Sequence, residues 1–456
     1  MLRAAAIAER AGVPSVSIVT TSFREQARVV SKGVGIPSLP IAEYPGVPMT
    51  DGPEAVRAKV DALLPAIVAG LAGAVDAAPD TAAEPGPRDV VHRGTLDDVQ
   101  EHFHRQLWSD GLPVVPPTIA RVERFLARTK RAPSDVIGRL LPENRAATVW
   151  SIAVNGVMAG CRPEYMPVLV AVVEAIADPV FRVEDAGSTP GWEPLVIVSG
   201  PIAGVLDLNH GQGVMRVGRQ ANTTLGRFLR LYLRNVAGLR IPPGAGDKGS
   251  IAGSFNVALA EDEAAATALG WPTFAMDEGF GRDASVVTVQ SVVSITPPIY
   301  SAGTTAREHA RILAEVFGGA CAYWSSIGMK YARWQPLLVL GPSIASVIAG
   351  DGWSKDDLRR YLTEHVTITA RQAETYALQV GATAYTLEAH VKAGVLPATY
   401  AVSADPERPV PVFVQPEKIG ILVAGDPGRN QSKGYVNNHI QGARVSRPVD
   451  ATAALA

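Results

Sequence analysis

"EPLVIVSGPIA", residues 193–203, and "QPLLVLGPSIA", residues 335–345, share one design: a proline, a run of large apolar residues, then Gly-Pro and Ile-Ala. An apolar run of this length that stops at a Gly/Pro turn reads as a buried strand. "EKIGILVAGDPG", residues 417–428, is a third of the same kind. In a parallel sheet, turns of this sort line one edge, where open α/β folds bind ligands. The likeness of the first two is open to two readings: an internal duplication, or two buried strands built from the same few residue types.

Working outward, the first 75 residues alternate: a helical start, a strand "SVSIVTT", a helix "FREQARVVSKGVG", a strand "LPIAEYP" and a long helix "PEAVRAKVDALLPAIVAGLAGAV". That rhythm implies a parallel α/β unit. Residues 76–92 open with "DAAPDTAAEPGPRDV", which has no apolar period and reads as a linker. The expected fold class is α/β: a partial N-terminal parallel α/β unit (1–75) and a large α/β domain (93–456), with duplication inside it as one reading.

Of the 456 residues, 47% are apolar and 19% charged, and the formal net charge is −2, so neither disorder nor a nucleic-acid surface is indicated. No disulfide framework can be built from two cysteines, Cys161 and Cys321. Glu9 and Arg10 interrupt any signal-peptide core, and no apolar run reaches the 18 or so residues that cross a bilayer. The expectation is a cytoplasmic protein with small-molecule partners, no membrane and no nucleic acid.

"NGVMAGCRPEYMPVL" (155–169) breaks a helix at Gly160 and restarts one at Pro163. Cys161 then sits beside a helix N-terminus and the Arg162 guanidinium, both of which favour a thiolate. Equally, a residue just before the cap packs as a hydrophobic staple, here against Met166. Cys321 reads as core. In "NHGQGVMRVGRQANTTLGRFLRLYLRNVAG" (209–238), Leu225, Phe228, Leu229, Tyr232, Leu233 and Val236 form the stripe of an amphipathic helix. Asn222 is its expected cap. Arg216, Arg219, Asn222 and Thr223 could hold a carboxylate or phosphate there, against plain capping with Arg227, Arg230 and Arg234 on a solvated face. His210 is a candidate acid or base. The turn after the last strand, with Gly425 and Asp426, is either an anion nest or an ordinary turn.

Other patterns fail on context. "GAGDKG" (244–249) matches a dinucleotide fingerprint but is followed by a strand-like "SIAGSFNVALA". His102 and His104, two apart on a helix, cannot share one ion, so no metal site and no cofactor are expected. Asp277, Glu278 and Asp283 are either a proton-transfer group or a solvated acidic loop.

"AGVPSVSIVTTSFREQARVVSKGVGIPSLPIAEYPGVPM" (11–49) resembles the later part of the UGSC-motif family of cysteine or selenocysteine proteins. From about Thr95 the chain resembles the large domain that accompanies such segments, through "DGLPVVPPT", "VNGVMAGCRPEY", "GRQANTTLGR" and "GDGWSKDD". The resemblance implies that the reactive motif lies just upstream of Met1, either lost or hidden behind a selenocysteine codon read as a stop. No catalytic residue carries over from it.

Three functions follow as expectations. The first is thiol-dependent redox or carbon–sulfur chemistry on a small anionic substrate, with Cys161 as thiolate, Arg162 lowering its pKa and His210 moving protons. A cofactor-independent lyase or hydratase using Asp277, Glu278 or His210 is the second. The third is a non-catalytic partner of a Cys- or selenocysteine-bearing subunit, or a homo-oligomer, pairing through the open edge of the N-terminal sheet.

Overall fold

The computed structural model describes residues 2–48, 50–73, 85–241, 246–247, 249–331, 334–379, 384–438 and 441–450. Its N-terminal unit runs α1 (Leu2–Arg10), β1 (Ser17–Thr20), α2 (Arg24–Gly33), β2 (Ile41–Tyr44) and α3 (Pro53–Ala72). β1 and β2 pair in parallel, Ser17 opposite Ile41. The unit packs on the large domain: Arg3 meets Glu184 at 2.8 Å and Gln26 donates to the Gly187 carbonyl at 3.4 Å. Gly33 makes the closest approach, since a Cβ there would fall 1.6 Å from the Pro142 carbonyl oxygen. Of the expected linker, residues 76–84 lie outside the described residues, and 85–92 have no regular structure.

In the large domain, helices Leu96–Arg105 and Ile119–Leu126 precede a hairpin of β3 (Val136–Leu140) and β4 (Arg145–Thr148). Two mixed sheets follow. The first has β5 (Glu193–Ser199) beside a parallel β6 (Leu259–Ala260) and an antiparallel β7 (Val286–Val292). After β7 the chain forms β8 (Ser294–Ile295) and β9 (Ile299–Tyr300). The second sheet has β10 (Leu337–Leu340) beside a parallel β11 (Gly420–Val423) and an antiparallel β12 (Gln431–Val436). β13 (Val445–Pro448) ends the order. The strand that follows each antiparallel arm changes sheets: β8 pairs with β12, and β13 pairs with β7.

The two similar segments thus become β5 and β10, each the inner strand of its sheet with the same kind of neighbour on either side. This equivalence of position favours duplication over shared composition. It also corrects the picture of one parallel sheet: only β10 and β11 among the three apolar runs are neighbours, and both sheets are mixed.

Alternation along the strands explains the layering. Leu195, Ile197, Leu259, Leu337, Val339, Leu422 and Tyr435 share one cluster between the sheets. Val196, Val198, Val287 and Val289 face the opposite way, into helices α4 (Val149–Ala159), α5 (Met166–Ala177) and α6 (Gln220–Tyr232). Leu338, Leu340, Ile421 and Val423 face a second helical layer. Helix, sheet, sheet, helix is the result, and β5 is buried along all seven residues because both its faces are covered.

Candidate functional site

Glu261 and Asp262 follow directly on β6, and the Asp262 N–H donates to the Val423 carbonyl at the end of β11 (2.8 Å). Two strand ends from different sheets therefore meet. The loop before α6 closes over them: the Gly425 N–H donates to the His210 carbonyl at 2.8 Å, and His210 Nδ1 lies 3.5 Å from Asp262 Oδ2. The other oxygen, Asp262 Oδ1, caps the following helix through the Ala265 N–H at 3.0 Å. The Asp262 side chain is 18% exposed and that of His210 46%, so a fixed carboxylate stands behind an accessible imidazole. Val214 and Met215 of the same loop pack into the inter-sheet cluster and hold it down.

Asn222 is the anchor of this loop. Its Oδ1 accepts from the Asn209 N–H (2.8 Å), and its Nδ2 donates to the Asn209 and Ala258 carbonyls (3.0 Å each). The residue is 0% exposed. This corrects two expectations: α6 begins at Gln220, before Asn222, and the amide is spent on protein, leaving nothing for a substrate. Thr223 Oγ1 accepts from the Gly218 N–H at 3.2 Å, and Arg219 meets Asp207 at 3.0 Å. Arg216 is exposed on the same loop. Gly425 and Asp426 do not make an open anion nest, because the Gly425 N–H is taken by His210 and the Asp426 carboxylate accepts from the Gly428 N–H at 2.8 Å.

Cys161 lies under the start of α6. Gly160, at φ 82°, ends α4 in the left-handed conformation, and the Cys161 N–H returns to the Gly156 carbonyl at 3.0 Å. Its thiol donates to the Thr224 carbonyl (3.4 Å) and shares the core with Met166. Burial pushes this thiol up to about 12, against the smaller opposing effects of the Thr224 contact and the Arg227 charge. Arg162 turns to Gln220 instead, Nε to Oε1 at 2.7 Å. Of the two readings of Cys161, these contacts favour the packed staple over the thiolate, because desolvation outweighs the favourable charges. Cys321 is 0% exposed, and burial raises its thiol as well.

In the acidic loop of the sequence reading, Asp277 and Glu278 are taken up by three buried cations. Asp277 receives Lys355 Nζ at 3.0 Å and Arg359 Nη2 at 2.9 Å; Glu278 receives Arg444 Nη1 at 2.9 Å. Neither belongs to the His210 set. Two buried carboxyls escaped notice altogether. Burial raises Glu193 to about 7 and Glu261 to about 8, with Arg230 and Lys355 respectively working the other way. Glu261 stands next to Asp262, but its Oε2 is tied to the Phe274 N–H at 2.7 Å. An acidic run "AEDEAAA" read as a helix start could have flagged it.

Among the described residues no group of three His, Cys, Asp or Glu side chains could hold a metal, and no helix is long and apolar enough to cross a membrane. Residues 1–73 match the model of the UGSC family. No curated protein and no solved structure matches the chain.

Proposed function

We propose that this chain is a cofactor-independent lyase or hydratase that moves a proton on a small carboxylate substrate, with His210 as the base. The observation that carries the reading is the His210–Asp262 pair at the junction of two strand ends. Asp262 orients the ring and steadies the imidazolium that forms. The imidazole takes a proton from the carbon next to the carboxylate, then hands it to the departing β-oxygen; water leaves and a carbon–carbon double bond remains. Arg216, exposed on the same loop, offers the charge for the substrate anion. Thiol-dependent chemistry has weaker support, because burial of Cys161 outweighs what the Thr224 contact and the Arg227 charge do for its ionised form. The large domain is read as the companion of the UGSC unit, against which it packs through Gly33 and Arg3.

A panel of 2- and 3-hydroxycarboxylates incubated in D₂O and followed by NMR tests this. Solvent deuterium or an alkene should appear with one of them, and His210→Asn should lower the rate by about 10²-fold or more. Cys161→Ser should leave it unchanged. Full activity in His210→Asn, with loss in Cys161→Ser, would restore the thiol reading instead.

A further inference from the structure

Helix α3 is divided along its length. Glu54, Arg57, Lys59 and Asp61 stand in its first half, whereas from Ala62 to Gly73 the chain carries no polar side chain. With 3.6 residues per turn, that apolar half presents two stripes about 100° apart. One runs through Leu63, Ile67 and Gly70. It is seated on the strands, for Leu63 is buried and a Cβ at Gly70 would fall 2.7 Å from Val16 Cγ2, at the foot of β1. The other runs through Leu64, Val68 and Leu71, which are 50%, 63% and 43% exposed. A helix apolar on two sides is normally covered on both, and an exposed apolar face marks a contact surface.

The face itself specifies what covers it. It has no charge, so it offers nothing to an acidic or a basic partner. Its i, i+4, i+7 spacing is the one by which helices interlock, and Ala72 beside it is small enough to let a second helix approach. All the charges lie towards one end of α3, so two such helices crossing antiparallel send them out into water at opposite ends of the contact. The same face on a second copy meets each of these demands, as a two-fold contact requires.

We propose that α3 pairs with α3 of a second copy of this chain, antiparallel about a two-fold axis at Val68. Val68 meets its own counterpart there, and Leu64 packs on Leu71 of the second copy. A standard interface buries about 800 Å² of each partner over about 20–30 residues, so the dozen residues of this half-helix bury roughly 400 Å². That is less than a permanent dimer needs, and the pairing is reversible. It joins the N-terminal units and is independent of the role given to His210.

Sedimentation velocity of the full chain tests the pairing. Between about 1 and about 300 μM, the range of a weak interface, the protein should shift from monomer towards dimer. Val68→Glu sets like charges face to face at the axis and should weaken association about tenfold or more. Its melting temperature should match the parent's, because Val68 is exposed. Both native thiols are buried, so Val68→Cys under mild oxidation should yield a disulfide-linked dimer, and Ile7→Cys, exposed on α1, should do so far more slowly. A monomer at every concentration, or a dimer that Val68→Glu leaves intact, would overturn the proposal. So would a monomer that binds phosphatidylcholine–phosphatidylserine vesicles through Val68, which would give this face to a lipid surface instead.

Discussion

Glu261 carries a pH dependence whose sign can be worked out. Burial places its folded value at about 8, above the 4.5 of a free glutamate side chain, so the native state holds a proton that the unfolded chain releases. The stability this contributes is complete below about pH 4.5 and lost as pH rises through about 8. Glu261→Gln keeps an acceptor for the Phe274 N–H without the charge. Its melting temperature should fall less steeply than the parent's across that range in calorimetric scans. Cys161 gives a second expectation at this scale. With both thiols buried, the native protein should show almost no reaction with a thiol reagent at neutral pH, and unfolding should release two equivalents. The helix break around Cys161 was legible, because Gly160 and Pro163 are local signals. Its ionisation was not, because the desolvation comes from α6, some sixty residues further along the chain.

The same limit operates at the level of elements. Periodicity located α6 and its buried stripe, but Arg227, Arg230 and Arg234 do not face water. Loops pack over that side of the helix: Arg227 makes two 2.8 Å bonds to Asp110, Arg230 approaches Asp247 at 3.2 Å, and Arg234 Nε donates to the Leu107 carbonyl at 2.7 Å. Partners that lie far off in sequence leave no trace in a helical period. Burial alone would raise the Asp110 carboxyl, yet the Arg227 pair holds it below the usual range. Arg227→Ala should therefore cost about 3–5 kcal/mol in denaturant unfolding by stranding a buried carboxylate, and Asp110→Leu added to Arg227→Met should recover much of it. Gly33 plays a comparable part between units. Gly33→Val drives a side chain into the Pro142 carbonyl, a clash worth about 1–3 kcal/mol or more. Limited proteolysis should then cut within the N-terminal unit first and leave the large domain intact. His210, Asn222, Gly425 and Asp426 were each visible as residue types, and the fold brings them into one neighbourhood. What no local pattern announced was Asp262 behind the imidazole, or the saturation of the Asn222 amide.

Across the whole molecule, the exchange of β8 and β13 ties the two sheets into one cooperative body. Cleaving the chain between Gly303 and Thr304 would leave β8 without β12 and β13 without β7. The two pieces, expressed separately, should be insoluble or unfolded; co-expressed, they should copurify with a single unfolding transition. Independent folding of either piece would contradict that. A matching pair of eleven-residue segments hinted at two like halves, but strand exchange could not be foreseen, because pairing between sheets depends on contacts across some 140 to 160 residues of chain. The crossed strands also speak to ancestry. A primordial gene for one half would have made a polypeptide whose last ribbon had no home in its own body and could be sheltered only by a sister molecule. Joining two such halves in one chain would turn that concentration-dependent embrace into a covalent one, so that neither half could be lost without unhousing a ribbon of the other.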